Sequence, residues 1–245
     1  MTVEPSADLR APAADLLPRA GRLLWTRLPV ILAINVAVCA SALPGVLVSP
    51  QLGPVRLLVS ALTVGPVWAA ALATSNALVL QRSARAYDPL RGVLRHGRTG
   101  AAVALLPAVT ASLALVTHLL WQRTGASWLL VPLGLDLTAF VLAGLGAVVA
   151  VPLAVEFPVL RGRRLWAVAL TLVAARPWIP LGVVALAGLG LLAGLSLSAS
   201  LLLLVPGPVA LLTSAGVWSA VGSLRGALPL PTAQTSMEEP SRVRF

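Results

Sequence analysis

Between Trp128 and Ala154 the chain runs for 27 residues, WLLVPLGLDLTAFVLAGLGAVVAVPLA, with one ionised side chain, Asp136. A helix of that length rises about 40 Å, enough to cross a hydrocarbon core about 30 Å thick. In lipid the backbone has no water to bond, so such a run must satisfy its own N–H and C=O groups, which a helix does. Comparable apolar stretches bounded by charged breaks recur at 29–48, 55–80, 100–121, 178–196 and 199–223, and with 128–154 they make six. The reading is an all-α, polytopic transmembrane helical bundle. Residues 1–28 precede it as an N-terminal segment, and 224–245 follow it as a disordered tail. Composition agrees: 58% of the residues are hydrophobic and 11% charged, far from the roughly half-apolar, quarter-charged balance of soluble domains.

All 18 basic residues are arginine and the net charge is +10. A charge of this size often marks a nucleic-acid binder, so placement has to decide. The arginines lie between the apolar runs and not in one soluble region, so no nucleic-acid partner is expected. Sixteen of them fall in 1–28, 81–99, 155–177 and 224–245, whereas the alternate connections hold only Arg56 and Arg123. The positive-inside rule then puts both termini and the long basic connections in the cytoplasm, N-in and C-in. The expected location is a cell membrane, multi-pass, with the lipid bilayer as first partner. Exclusive use of Arg in a chain rich in Ala, Val, Leu and Gly is associated with GC-rich bacterial genomes.

Two basic segments carry a second reading. In DPLRGVLRHGRTG (88–100) a helix would set Leu90, Val93 and Leu94 on one face and Arg91, Arg95 and Arg98 on the other, a candidate cytoplasmic docking face. The plainer reading is that these arginines set topology and meet anionic headgroups. RRLWAVALTLVAARP (163–177) is expected either to lie in the interface or to extend the fifth span. At the N-terminus, Ala40 and Ala42 resemble a signal-peptidase site, but the lead of 28 residues with Glu4, Asp8 and Asp15 argues against cleavage.

Proline punctuates the spans at Pro44, Pro66, Pro107, Pro132, Pro152, Pro206 and Pro208, as kinks that improve packing or as breaks that line a substrate path. The pairs Ala69 and Ala73, Gly146 and Ala150, and Gly190 and Gly194, each four apart, permit close helix approach.

Chemistry is sparse. GLGLLA (188–193) fits a loose dinucleotide pattern, but it lies inside an apolar helix without the preceding strand the mechanism needs. His96 and His118 fall at opposite ends of one span and cannot share a metal or a triad. With one cysteine, Cys39, and no paired intramembrane acids, no catalytic, cofactor-binding or metal-binding residues are assigned, and an enzyme is not expected. Trp68 and Trp218 sit deeper than the other tryptophans, as packing rings or, less simply, as ligand-stacking ones. The intramembrane polar candidates are Asp136, Asn35, Asn76 and Thr110. An ionised acid inside a span costs roughly 2.5–3.5 kcal/mol or more unless satisfied. Asp136 falls in the outer half of its span with no arginine at its depth, so its expected partners are water, Thr110, Ser112 and, farther off, His118. It is then either a solute or proton group or a hydrogen-bonded packing residue.

The first two spans also carry a recognisable pattern. NVAVCASALP sets Asn35 nine residues before Pro44, and LTVGPVWAAAL supplies Thr63, Gly65 and Pro66. Together with DPLRGVLRHGRTG, AARPWIPL and LLLLVPGPVALLTS, these resemble the signature of YesL-like bacterial membrane proteins, over most of residues 20–225. Ten residues, GVLVSPQLGP (45–54), stand between the first two elements, and the loop carries Pro89, Leu90 and Leu94 where the family pattern is aromatic. The resemblance implies a bacterial plasma-membrane protein associated with sugar ABC transporter components, and supplies no catalytic residues. Two functions are thus expected: an accessory or permease-like component linked to carbohydrate uptake, or a structural, assembly or regulatory protein that binds another membrane protein and moves no solute. A free-standing solute transporter would have few polar groups to work with.

Overall fold

A computed structural model describes residues 16–49, 51, 53–80, 88–196 and 199–223, and every described element is helical. In chain order these are α1 (Leu16–Thr26), α2 (Leu28–Val48), α3 (Pro54–Val79), α4 (Asp88–Thr124), α5 (Leu130–Glu156), α6 (Arg163–Ala175), α7 (Trp178–Ser196) and α8 (Pro206–Ser223). Short 3-10 turns lead into α5 at Ser127–Leu129 and into α8 at Ala199–Leu204. By length and apolarity α2, α3, α4, α5 and α8 are candidate membrane spans, five in all, and α6 with α7, bent by 89° at the break between them, raises the count to six if the pair is taken together. The chain is a multi-pass membrane protein by this measure, and its helix limits follow the apolar runs at most ends. The expected disordered tail, 224–245, lies outside the described residues.

Three elements differ from the sequence reading. The span expected at 100–121 is part of one uninterrupted helix of 37 residues, Asp88–Thr124. Residues 16–26, read as part of an N-terminal segment, form α1, whose Leu16 and Ala20 are buried and whose Leu23 and Leu24 pack on the core, mostly against α8. Finally, 163–177 does not extend the fifth span in line: α6 turns through 89° into α7 at Arg176 and Pro177. The pyrrolidine of Pro177 disfavours helical geometry at the residue before it, and Arg176 sits at φ −140°, ψ 64°. The result is a helix lying across the bundle with Leu165, Val168, Ala169, Leu172 and Val173 buried, the stripe that 3.6-residue periodicity produces.

The core is not centred along the spans. It gathers where Ala69–Leu72 and Leu78–Val79 of α3, Val149–Val155 of α5 and Ala210–Val221 of α8 meet α1 and α6. Away from that end the halves of α4 and α5 next to their connecting turn stand as a two-helix hairpin, with Leu113, Leu120, Val131, Leu135 and Val141 exposed. Exposed apolar surface of this extent is what lipid-facing helices present. The hairpin turns at Gly125, whose φ of +65° is a left-handed conformation that glycine adopts without a Cβ penalty.

The most extensive pairing in the bundle is between α3 and α4, and glycine makes it possible. A Cβ on Gly65 would lie 2.8 Å from the Ala104 Cβ and 2.9 Å from the Gly100 carbonyl oxygen, and one on Gly100 would overlap the Gly65 carbonyl. Neither position tolerates a side chain without the helices parting. This backbone-to-backbone approach follows the rule that small residues draw helices together in lipid, where apolar surface by itself gives no net attraction.

Candidate functional site

Of the polar candidates in the spans, Asn76 and Asn35 stand at two junctions between helices and Asp136 stands in the hairpin. Asn76 on α3 is 1% exposed. Its Nδ2 donates to the Pro152 carbonyl of α5 at 3.1 Å, and its Oδ1 accepts from the indole Nε1 of Trp218 on α8 at 3.0 Å. One amide thus ties three helices, and Trp218 is placed further by a tilted ring contact with Phe157, 6.0 Å between centroids. Trp218 is a packing ring whose polar atom is spoken for, as buried tryptophans require.

Asn35 on α2, 2% exposed, accepts through Oδ1 a hydrogen bond from the backbone N–H of Gly207. The local sequence explains why this bond matters. A helix begins with four N–H groups that lack intrahelical partners. In α8 the first and third positions are Pro206 and Pro208, which have no N–H, and the N–H of Val209 reaches the Val205 carbonyl at 3.2 Å. Gly207 is the one donor left over, and Asn35 from another helix caps it. A Cβ on Gly207 would fall 2.8 Å from that same Oδ1, so the contact also demands glycine.

The third place is Asp136, in the outer hairpin. Thr117 of α4 donates through Oγ1 to its Oδ2 at 3.0 Å, and the carboxylate is half-buried. None of the expected protein partners is the one found. Thr110 bonds the Leu106 and Pro107 carbonyls of its own helix, Ser112 reaches the Ala108 and Pro54 carbonyls, and His118 pairs with Gln122. The physical reason is register: with the turn at Gly125, the residue facing Asp136 is Thr117, a turn or more nearer the loop than Ser112 or Thr110. A threonine donor of this kind holds a carboxyl group in place.

The motif positions of the first two spans are structural as well. Thr63 bonds the Val59 and Ser60 carbonyls one turn back, Gly65 admits α4, Pro66 lies 3.4 Å from where a Gly97 Cβ would stand, and Pro44 is inside α2. In the docking face expected on 88–100, Leu94, which is 91% exposed, Arg95 and Arg98 are turned out of the bundle. The side of α4 that packs on α3 is instead the glycine side, with Gly92 against Ala70 and Gly100 against Gly65 and Ala69. The side chains of Leu90 and Arg91 lie outside the described residues. Glycines packed on glycine leave no apolar stripe to read, which is why a hydrophobic-face argument does not find the side that meets α3.

His96 and His118 lie on α4 roughly 33 Å apart at 1.5 Å per residue, and Asp136 and Glu156 on α5 roughly 30 Å apart. Neither pair can therefore share a proton or a ligand, whereas Glu156 of α5 is near enough to His96 of α4 to act on it electrostatically. A small pocket of about 10 Å³ lies between α5, α6, α7 and α8, walled by Val149, Leu172, Ile179 and Val217 with Arg176 at its edge. It has room for about one water molecule. Gly146 gives the ring of Trp166 its place, 2.6 Å from where a Cβ would be, and Gly190 and Gly194 receive Val205 and Leu202 in the same way, so the small-residue pairs act in packing.

Two buried hydroxyls, Ser75 and Ser214, have no hydrogen-bond partner among the described residues. A buried, unpaired hydroxyl costs about 1–3 kcal/mol relative to a satisfied one. Ser75→Ala and Ser214→Ala are therefore expected to leave stability unchanged or raise it by up to about 1 kcal/mol, read as the midpoint of unfolding in detergent. A clear loss in either variant would mean the hydroxyl has a partner in the membrane.

Comparison with protein-family profiles, with curated proteins and with solved structures returns no match.

Proposed function

We propose that this chain is an accessory component of a membrane assembly linked to carbohydrate uptake, acting through contacts with other membrane proteins and not as the solute conduit. The observation that supports it is the use made of the polar side chains: Asn35 and Asn76 are consumed in joining α2 to α8 and α3 to α5 and α8. A conduit spends such groups on its cargo, whereas these are spent on rigidity. The link to uptake rests on the resemblance to YesL-like proteins and their association with sugar ABC transporter components, in a bacterial plasma membrane with both termini inside.

The polar group outside those two junctions is Asp136, half-buried and bonded to Thr117 within a hairpin that stands clear of the core. In this reading it is a contact point for a helix of the partner, which would supply a hydroxyl, amide or cationic donor to the carboxylate. A carboxylate in the outer half of a span gains more from such a donor than from lipid.

Deleting the gene is expected to reduce uptake of at least one oligosaccharide, and Asp136→Leu to weaken co-purification of the partner about tenfold while folding normally. Unchanged growth and uptake on every sugar tested would remove the link to carbohydrate. Saturable binding of a sugar to the purified chain would overturn the accessory role in favour of a permease-like one. A structural or regulatory protein with no tie to uptake is the second reading, favoured by the same exposed hairpin; it predicts a co-purifying partner that is not a transporter.

A further inference from the structure

We propose that α6 and its elbow into α7 form a seat for anionic phospholipid headgroups. The charge balance is the first argument. From Phe157 to Ser223 there is no acidic residue, and α6 is entered through Arg161, Arg163 and Arg164 and left through Arg176. Glu156, the nearest acid in the chain, acts electrostatically on His96 of α4. Arg161, Arg163 and Arg164 are exposed. Arg161 gives its Nε to the Pro158 carbonyl at 2.9 Å, which commits one of the five N–H donors of a guanidinium. The counter-charge for this group must come from outside the segment.

Geometry says from where. Because α6 is bent 89° from α7, it lies in the plane of the membrane when α7 crosses it. Its inner stripe is buried in the core, and its outer face, with Leu170 and the neighbouring Ala167 and Ala174, is exposed and apolar. An in-plane helix with an apolar outer face and arginines at both ends is built for the boundary between acyl chains and headgroups. At the elbow the Arg176 guanidinium stacks 5.2 Å from the ring centroid of Trp178, which is 59% exposed. Tryptophan prefers that boundary, and the stack fixes the plane of a guanidinium whose paired N–H donors fit a phosphate. The two basic poles are about 20 Å apart along the thirteen residues of α6, so the seat accepts more than one headgroup.

The test is lipid retention by the full chain, purified with dioleoylphosphatidylglycerol or dioleoylphosphatidylcholine and read by native mass spectrometry. Wild type is expected to retain phosphatidylglycerol preferentially. The Arg163→Gln, Arg164→Gln, Arg176→Gln variant should lose affinity roughly fivefold per arginine, the equivalent of about 1 kcal/mol each. Arg123→Gln, at the other end of the spans, should retain the lipid, and Arg176→Lys should recover part of what Arg176→Gln loses. Retention unchanged in the triple variant, an equal loss in Arg123→Gln, or no preference in wild type would each overturn the proposal. So would displacement of the phospholipid by inorganic phosphate at matched concentration, since the seat would then read a free anion and not a bilayer lipid.

Discussion

Gly100→Leu is expected to cost about 3 kcal/mol, the upper end of what overpacking costs and a large fraction of a total stability of roughly 5–15 kcal/mol. The site has no slack. Already a methyl group at Gly100 would lie 2.6 Å from the Ala69 Cβ and overlap the Gly65 carbonyl, and backbone does not rotate out of the way as a side chain does. The four carbons of leucine can be admitted only by prising α4 from α3, the most extensive helix pair in the bundle. Gly100→Ala is the graded case, expected to lose about 1–2 kcal/mol. Gly134→Ala is the control, because a Cβ there meets nothing within 4 Å, and loss of glycine's backbone freedom should stabilise α5 by up to about 1 kcal/mol. The measurement is tryptophan fluorescence during titration from mild detergent into SDS. A Gly100→Leu protein with the wild-type midpoint would sink the close-approach account.

Asn76→Leu is expected to lose about 1–2 kcal/mol, and the way it loses it is diagnostic. Polar bonds between helices in membranes average only about 0.6 kcal/mol, because the separated helices find other partners. Asn76 should exceed that figure, since it is 1% exposed and its removal strands the Trp218 indole N–H in a core without water. An orphaned buried donor costs about 1–3 kcal/mol. A double-mutant cycle separates the bond from the shape: with Trp218→Phe there is no N–H to strand, so Asn76→Leu should then cost less by about 1 kcal/mol. Additive losses within about 0.3 kcal/mol would mean that the amide and the indole are not coupled.

Much of the architecture could be read from the chain, and the places where it could not share a cause. Apolar runs located the spans because a bilayer demands them. The same criterion stopped at Gly100 and did not see that α4 begins at Asp88, since helical hydrogen bonding does not end where hydropathy does. Arg, Leu and His continue a helix readily, and Gly92 and Gly100 are held in it by α3. The amphipathic α1 and the crosswise α6 are short, and their place is decided by packing against the core, which the sequence does not display. Asn35 and Asn76 stood out as polar residues in apolar company, but the sequence did not hold their partners: a tryptophan, a glycine N–H and a proline carbonyl are unremarkable as residue types. Thr117 could have been found. It lies eight residues before Gly125 and Asp136 eleven after it, so folding the hairpin at that glycine brings the two level, whereas an estimate of membrane depth pointed to Thr110 and Ser112.

The amide of Asn35 has a further meaning when the order of synthesis is considered. Chains emerge N-terminus first, so α2 is made and inserted long before the Pro206, Gly207 and Pro208 turn exists. Until then the Asn35 carbonyl oxygen has no N–H from α8, and Leu16 and Ala20 of α1 lack the helix they pack against. α8, the last of the described helices, carries the donor that fits α2, so closure of the bundle waits on its arrival. A nascent or truncated chain ending before Gly207 displays an unsatisfied amide and an uncovered apolar helix at its entrance.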